Sequence, residues 1–439
     1  MGTLETLVPI AAGGGKGPYK YLVETDGTNI TVYDKDGNKA YGPVTDAATA
    51  INWALSNLTS GRTWKEKAVI KGNYIINTTI KVPSYTILEI QGKLSLADNA
   101  NCDVIQNSDQ TNGNTQIEII GGIIDANKNG QTNANNCIRL TKCTYSIVKK
   151  VHVKNAKRPS GETLYGEGIY FDGCTYCIAT DNIAENCDKN GLKARDVSAA
   201  ISQIVFANNI CINNLDGGIQ IAGDQGNGAE YCTVSNNVII MPSTLGPNNV
   251  TTGIKFHDAK KISCTGNIIK GPGNTLTSRY GIELVANCFL SVIAANYIDN
   301  IYYGIFSHTT YGTISLIANV ITGATTGIYI LTGNENNVQA NYLNSCTTGI
   351  NIAANDSLIT QNRLRNVTTP ITNTGTGNII NENVGNVGFY QTTTDTWAAY
   401  TGPTGTPTNG TRVIVYSSGE PGYRLYCYVN GGWRYVDLT

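Results

Sequence analysis

A short motif returns along this chain at a nearly fixed period, and that period decides what the chain can fold into. Gly, then Ile or Leu, then any residue, then usually an apolar one, occurs at Gly168-Ile169, Gly191-Leu192, Gly218-Ile219 and Gly253-Ile254, and again at Gly281-Ile282, Gly304-Ile305, Gly327-Ile328 and Gly349-Ile350. Successive spacings are 23, 27, 35, 28, 23, 23 and 22 residues. A second row runs through Asn182, Asn209, Asn237, Asn267, Asn296, Asn319, Asn341 and Asn362, mostly followed by an apolar residue. Self-similarity of this kind marks a repeat architecture, in which each unit packs only on its neighbours. That is how 439 residues can form one body without one oversized core.

Each repeat holds short alternating segments separated by turn residues, so one side of every strand faces inward and the other outward. Coils stacked at ~4.8 Å pair each strand with its equivalents above and below. The Asn row falls at one fixed turn, where side-chain amides can bond along the stack, and it reads as structural. Gly is abundant (48), Met nearly absent (2) and charged residues are 14% of the chain, a composition suited to short strands and tight turns. A net charge of −1 supplies no field for nucleic acid. No apolar stretch is long enough to span a membrane, so membrane insertion is not expected. Met1 to Gly15 lacks the layout of a signal peptide, which fits either expression without one or a virion protein that never used one. The twelve Cys read as buried thiols, with a disulfide or two left open. Cys174 and Cys177 form a C-x-x-C, but no second pair or His cluster completes a metal site, so no metal ligands are assigned.

These Gly-Ile and Asn-Ile rows resemble the parallel β-helix repeats of the pectate lyase superfamily and of phage tailspikes. The N-terminal part agrees: Ala47–Leu55 reads as a short amphipathic helix, followed by Val69-Ile70-Lys71-Gly72-Asn73-Tyr74 and Ile80-Lys81-Val82-Pro83-Ser84. In the superfamily this order resembles a capping helix followed by the first coils. The expected fold is all-β, a right-handed single-stranded parallel β-helix of about ten or more coils. An N-terminal extension (1–45) precedes the capping helix and β-helix (46–385). A linker and a small C-terminal antiparallel β module (386–439) follow, with strands at Arg412–Ser417, Tyr423–Val429 and Trp433–Leu438.

The register also predicts a candidate site. With Ile inward, the second and fourth residues after Gly point outward: Tyr170 and Asp172, Lys193 and Arg195, Gln220, Lys255 and His257, Glu283, Phe306 and His308. Insertions at Lys157–Gly166, Met241–Thr252 and Lys270–Tyr280 would stand beside this stripe, and long loops on a rigid scaffold are where binding concentrates. The stripe leans cationic, which suits an acidic polysaccharide or cell-surface glycan. A β-elimination lyase would need a base beside cations that stabilise the enolate, and Lys193, Lys255 or His257 could serve. A hydrolase would need paired carboxylates. Asp188 and Asp216 lie just before strands of adjacent coils, with Asp216 the candidate catalytic member. The Gly-His-Gly of polygalacturonase-like enzymes and the Asp-Pro-His of mannuronan epimerases are both missing, so neither activity transfers directly. Two readings stand: an enzyme degrading an acidic polysaccharide, or a non-enzymatic tailspike or adhesin holding a host-surface glycan. Both imply an extracellular or virion-surface location. The tailspike resemblance adds a possible homotrimer, and the lyase resemblance a possible calcium ion, though no oxygen-ligand spacing for calcium is present.

Overall fold

The computed structural model describes residues 18–159, 165–244, 250–309 and 313–385, together with the strands Tyr390–Thr393, Arg412–Ser417, Gly422–Val429 and Gly432–Leu438. The chain is the expected right-handed parallel β-helix. A representative coil runs through the strands Ile178–Thr180, Ile183–Glu185 and Asn190–Arg195, and the next repeats them at Val205–Ala207, Ile210–Ile212 and Gly217–Ala222. Each strand pairs in parallel with its counterpart, as in Leu192 against Ile219 and Ile219 against Ile254. The Gly-Ile strands form one twelve-stranded sheet from Ile80–Val82 to Thr369–Asn373.

The residue after each repeat Gly is buried, as are Cys174, Cys177, Cys211, Cys264 and Cys288. The thiols described are all free. Gly itself is imposed by packing: a Cβ on Gly281 would lie 2.5 Å from Gly304 O and 2.6 Å from Ile298 Cγ2. The coil is too narrow there for any side chain.

The Asn row is a hydrogen-bonded ladder. Asn209 Nδ2 donates to Ala179 O of the preceding coil (2.9 Å) and to Asn237 Oδ1 of the following one (3.0 Å), and Asn209 N also donates to Asn237 Oδ1 (2.9 Å). The pattern continues through Asn237, Asn267, Asn296, Asn319 and Asn341 to Asn362. The residue before each ladder Asn takes the left-handed conformation, including Ala295, Ala318 and Ala340 at φ of 54°, 55° and 55°. These three alanines are exposed, so their methyl groups pack on little while the backbone carries a left-handed cost of about 1–2 kcal/mol. Replacing any one with Gly removes that cost, partly offset by Gly's greater unfolded-state entropy. The expected result is a gain of roughly 0.5–1 kcal/mol per site, read as a higher denaturant midpoint at unchanged slope; a lower midpoint would contradict it.

The first coil is closed by the helix Ala47–Ser56. Asp46 caps it by accepting from Ala48 N (3.2 Å) and Thr49 N (3.1 Å). Ala50, Ile51, Ala54 and Leu55 face the core. Covering an open sheet end in this way prevents edge pairing. Residues before the helix join the same cap: Tyr21–Thr25, Ile30–Asp34 and Lys39–Val44 form an antiparallel meander, and the first of these strands pairs in parallel with Glu66–Ile76. The part of the extension from residue 18 onward is therefore built into the β-helix. At the other end, Arg412–Ser417, Gly422–Val429 and Gly432–Leu438 pair antiparallel, and Tyr390–Thr393 adds a parallel edge strand. The linker-like stretch 403–410 lies outside the described residues.

Candidate functional site

The outward positions of the Gly-Ile sheet stack in rows. Arg139, Tyr170, Lys193, Gln220, Lys255, Glu283, Phe306 and Tyr329 are successive partners in one row. Asp172, Arg195, Ala222, His257, Val285 and His308 form a second. A third runs just before the repeat Gly, through Thr252, Tyr280 and Tyr303. The strands are longest in the middle of the sheet, at Thr251–His257, Arg279–Ala286 and Tyr303–Thr309, so the rows are most complete there.

Outward does not mean exposed. Tyr170, Asp172 and Lys193 are all buried, contrary to the expectation of a solvent-facing stripe. Arg139 Nη2 and the Ser198 hydroxyl and amide close over Asp172. Tyr165 packs edge-on against Tyr170 at 6.4 Å. Lys193 Nζ meets Glu167 Oε1 at 2.9 Å, with Lys189 Nζ 3.6 Å from the same oxygen. Asp188 and Asp216 are not a free catalytic pair: Arg158 donates its backbone N–H to Asp188 and its guanidinium to Asp216. Gln220 accepts from Asn190 Nδ2 at 3.2 Å.

The expected cationic lean is also corrected. Arg195 makes a two-pronged ion pair with Asp224 (2.8 and 2.9 Å), which also faces His257 Nδ1 at 3.4 Å. Lys255 pairs with Glu283 at 3.2 Å, and Glu283 also faces His308 (3.4 Å) and the Thr252 hydroxyl (3.1 Å). Burial works to raise the Glu283 carboxyl, but His308 and Lys255 outweigh it and hold it below the usual range. In the same way His257 and Arg195 overcome burial and hold Asp224 well below its ordinary value. Near the buried Glu167, burial pulls Lys189 down to about 8 and pushes Asp216 up.

Beside the Lys255–Glu283–His308 group lies an aromatic cluster. Tyr280 stacks on Tyr303 (5.3 Å, 7°), and Phe306 lies 5.0 Å from Tyr303, 5.3 Å from Tyr329 and 5.0 Å from His308. The cluster is partly exposed. This arrangement offers apolar ring surface next to a fixed carboxylate, an ammonium and an imidazole. Sequence reasoning found Phe306, Glu283, Lys255 and His308 but missed Tyr280, Tyr303 and Glu167. Strict alternation from the inward Ile would place the residue before Gly inward as well; the repeat Gly itself points into the coil and breaks that alternation, so the register did not point to these three. Asp224 and Arg158 sit in loops, where no periodicity points to them.

Comparison with solved structures gives one consistent likeness. The Dettilon tailspike protein is 13% identical with a TM-score of 0.60, the match covering 88% of this chain and 73% of that one. PfbA, a surface adhesin of Streptococcus pneumoniae, is 14% identical with a TM-score of 0.56, covering 92% and 98%. The family 28 exopolygalacturonase of Yersinia enterocolitica is 11% identical with a TM-score of 0.54, covering 82% and 83%. What they share with this chain is the right-handed parallel β-helix. No curated protein matches in sequence. The family profile of NosD, a periplasmic copper-binding protein, matches residues 226–415, less than half of the chain.

A copper centre would need converging His, Cys or Met donors. Asp224 and Asp258 face opposite ring nitrogens of His257, so they cannot join it around one ion. The thiols of Cys232, Cys264, Cys288 and Cys346 are buried in the core. Among the described residues no group of three or more His, Cys, Asp or Glu is arranged to hold a metal. The described residues do not fit a copper centre.

Proposed function

We propose that the protein recognises a polysaccharide laid along the Gly-Ile sheet, at a cell or virion surface. The observation that carries this reading is the partly exposed cluster of Tyr280, Tyr303, Phe306 and Tyr329 beside Lys255, Glu283 and His308. Sugars have apolar ring faces and hydroxyl edges, and a site that fixes orientation with few polar groups on an apolar surface suits such a ligand. The outward rows repeat every ~4.8 Å along the stack, which favours an extended, repeating ligand over a compact one. The names of the structural neighbours, a tailspike, an adhesin and a polygalacturonase, accord with an extracellular glycan.

Cleavage is the second reading, and one observation favours it. Burial and the like-charged Lys193 pull Lys189 down to about 8 against the attraction of Glu167, toward the proton affinity of a base near neutral pH, although its side chain is buried. The charge pairs around Lys193, Arg195 and Lys255 favour holding over cutting, because paired cations are less free to stabilise an enolate.

The test is binding and turnover on a panel of acidic and neutral polysaccharides, with and without calcium, following ultraviolet absorbance for unsaturated sugar and assaying reducing ends. The double substitution Lys255→Ala and His257→Ala is expected to weaken binding by about tenfold or more, roughly 1.4 kcal/mol, with the cooperative melt preserved. Both side chains are partly exposed, at 28% and 29%, and Glu283 keeps His308 and Thr252. Undiminished binding by that variant would move the site off this face.

A further inference from the structure

A cleft of about 960 Å³ opens where the capping helix meets the first coils, lined among others by Tyr41, Asn52, Trp53, Lys81, Cys102 and Ser108. The helix buries its other face in the core, so Asn52 and Trp53 are left to shape this opening. Asn52 is fixed by the sheet edge it covers, donating to Thr79 O (3.0 Å) and accepting from Lys81 N (2.8 Å). Trp53 is held by Tyr41, stacked at 4.8 Å and 9°, and by Tyr21, edge-on at 5.5 Å. A rigid aromatic wall thus faces an exposed lysine.

Lys81 belongs to the groove's own central row. It is the register partner of Gln106, which partners Arg139, which partners Tyr170 and so on to Lys193. Every other cation of that row is neutralised: Arg139 by Asp172, Lys193 by Glu167, Lys255 by Glu283. Lys81 has no carboxylate at ion-pair distance among the described residues. The charge expected for the middle of the groove is therefore available at its N-terminal end.

We propose that this cleft is a subsite for an acidic sugar unit, with the carboxylate at Lys81 and the ring against Trp53 and Tyr41. The inference rests on the glycan reading above and names the chemistry of one end of the ligand. Seven coils separate Lys81 from Glu283, about 34 Å at the ~4.8 Å rise. A short uronate oligomer would occupy the cleft alone, whereas a polymer would span both stations.

Cys102 supplies the readout. It is partly exposed in the cleft, while the other cysteines whose side chains are described are buried, so its alkylation, followed by peptide mass, reports occupancy. At ten times its Kd, trigalacturonate is expected to slow Cys102 alkylation about tenfold, with neutral maltotriose giving no protection. Lys81→Glu should abolish the protection and Lys81→Arg should keep it, both with the wild-type melt. The variant lacking Lys255 and His257 should bind polymer about tenfold more weakly and still be protected by the trisaccharide. No protection in a wild-type protein that binds polymer overturns the subsite and leaves the groove standing. Equal protection by maltotriose overturns its acidic selectivity. Neither protection nor polymer binding overturns both.

Discussion

Ile254→Asp is expected to abolish cooperative folding of the central coils. Ile254 is fully buried and lies between Ile219 and Ile282 in the Gly-Ile sheet. Losing the Ile side chain from such a core costs about 2–5 kcal/mol by itself. The carboxylate then enters an apolar column with no partner, and must either stay charged at prohibitive cost or take up a proton with a strongly raised pKa. Total stabilities of about 5–15 kcal/mol are typical of single domains, so the combined penalty removes most of that margin. Because stability in a stacked repeat is a sum over neighbours, the break should be local first. Limited proteolysis should cut near coil 254, and far-ultraviolet circular dichroism should lose its cooperative transition. A variant that melts like the parent would mean that Ile254 does not face the interior.

The Asn ladder gives the second large effect. Asn296→Leu keeps the branched shape but leaves the buried Asn267 N, which donates to Asn296 Oδ1 at 3.0 Å, without that partner, and removes the bond from Asn296 Nδ2 to Cys264 O at 3.0 Å. A buried group left without a partner costs about 1–3 kcal/mol and a lost hydrogen bond about 0.5–1.5 kcal/mol, so the loss should be roughly 1.5–4.5 kcal/mol. Asn296→Asp retains the acceptor for Asn267 and loses only the donor, and should fall between Leu and the parent. Equilibrium denaturation of the three proteins checks the order. Equal stability of Leu and Asn would show that the ladder is incidental.

These two residues also mark how far the sequence could be read. The spacing of Ile254 and its equivalents was enough to assign them inward, and the recurrence of Asn296 at one turn was enough to assign it along the stack. Direction within a strand is a local property: alternation sets it residue by residue, and a repeated motif reports it many times over. The same reasoning put Lys193, Asp172 and Tyr170 outward, where they are, and then took outward to mean solvent, which they do not reach. Their covers come from elsewhere in the chain. Glu167 meets Lys193 across 26 residues, Ser198 meets Asp172 across 26, and Arg158 meets Asp216 across 58.

The sequence by itself therefore determined the period, the stack of coils, the inward and outward sets and the structural turn. It could do so because each of these follows from backbone geometry repeated at short range. Only the tertiary structure decided which outward side chains stay open, that the central cations are tied to Glu167, Asp224 and Glu283, and that Lys81 at the capped end is the cation of that row without a carboxylate partner among the described residues. Those outcomes depend on which loop or neighbouring coil comes within about 3–4 Å of a charge, where pairing outweighs exposure, and no repeat period encodes that distance.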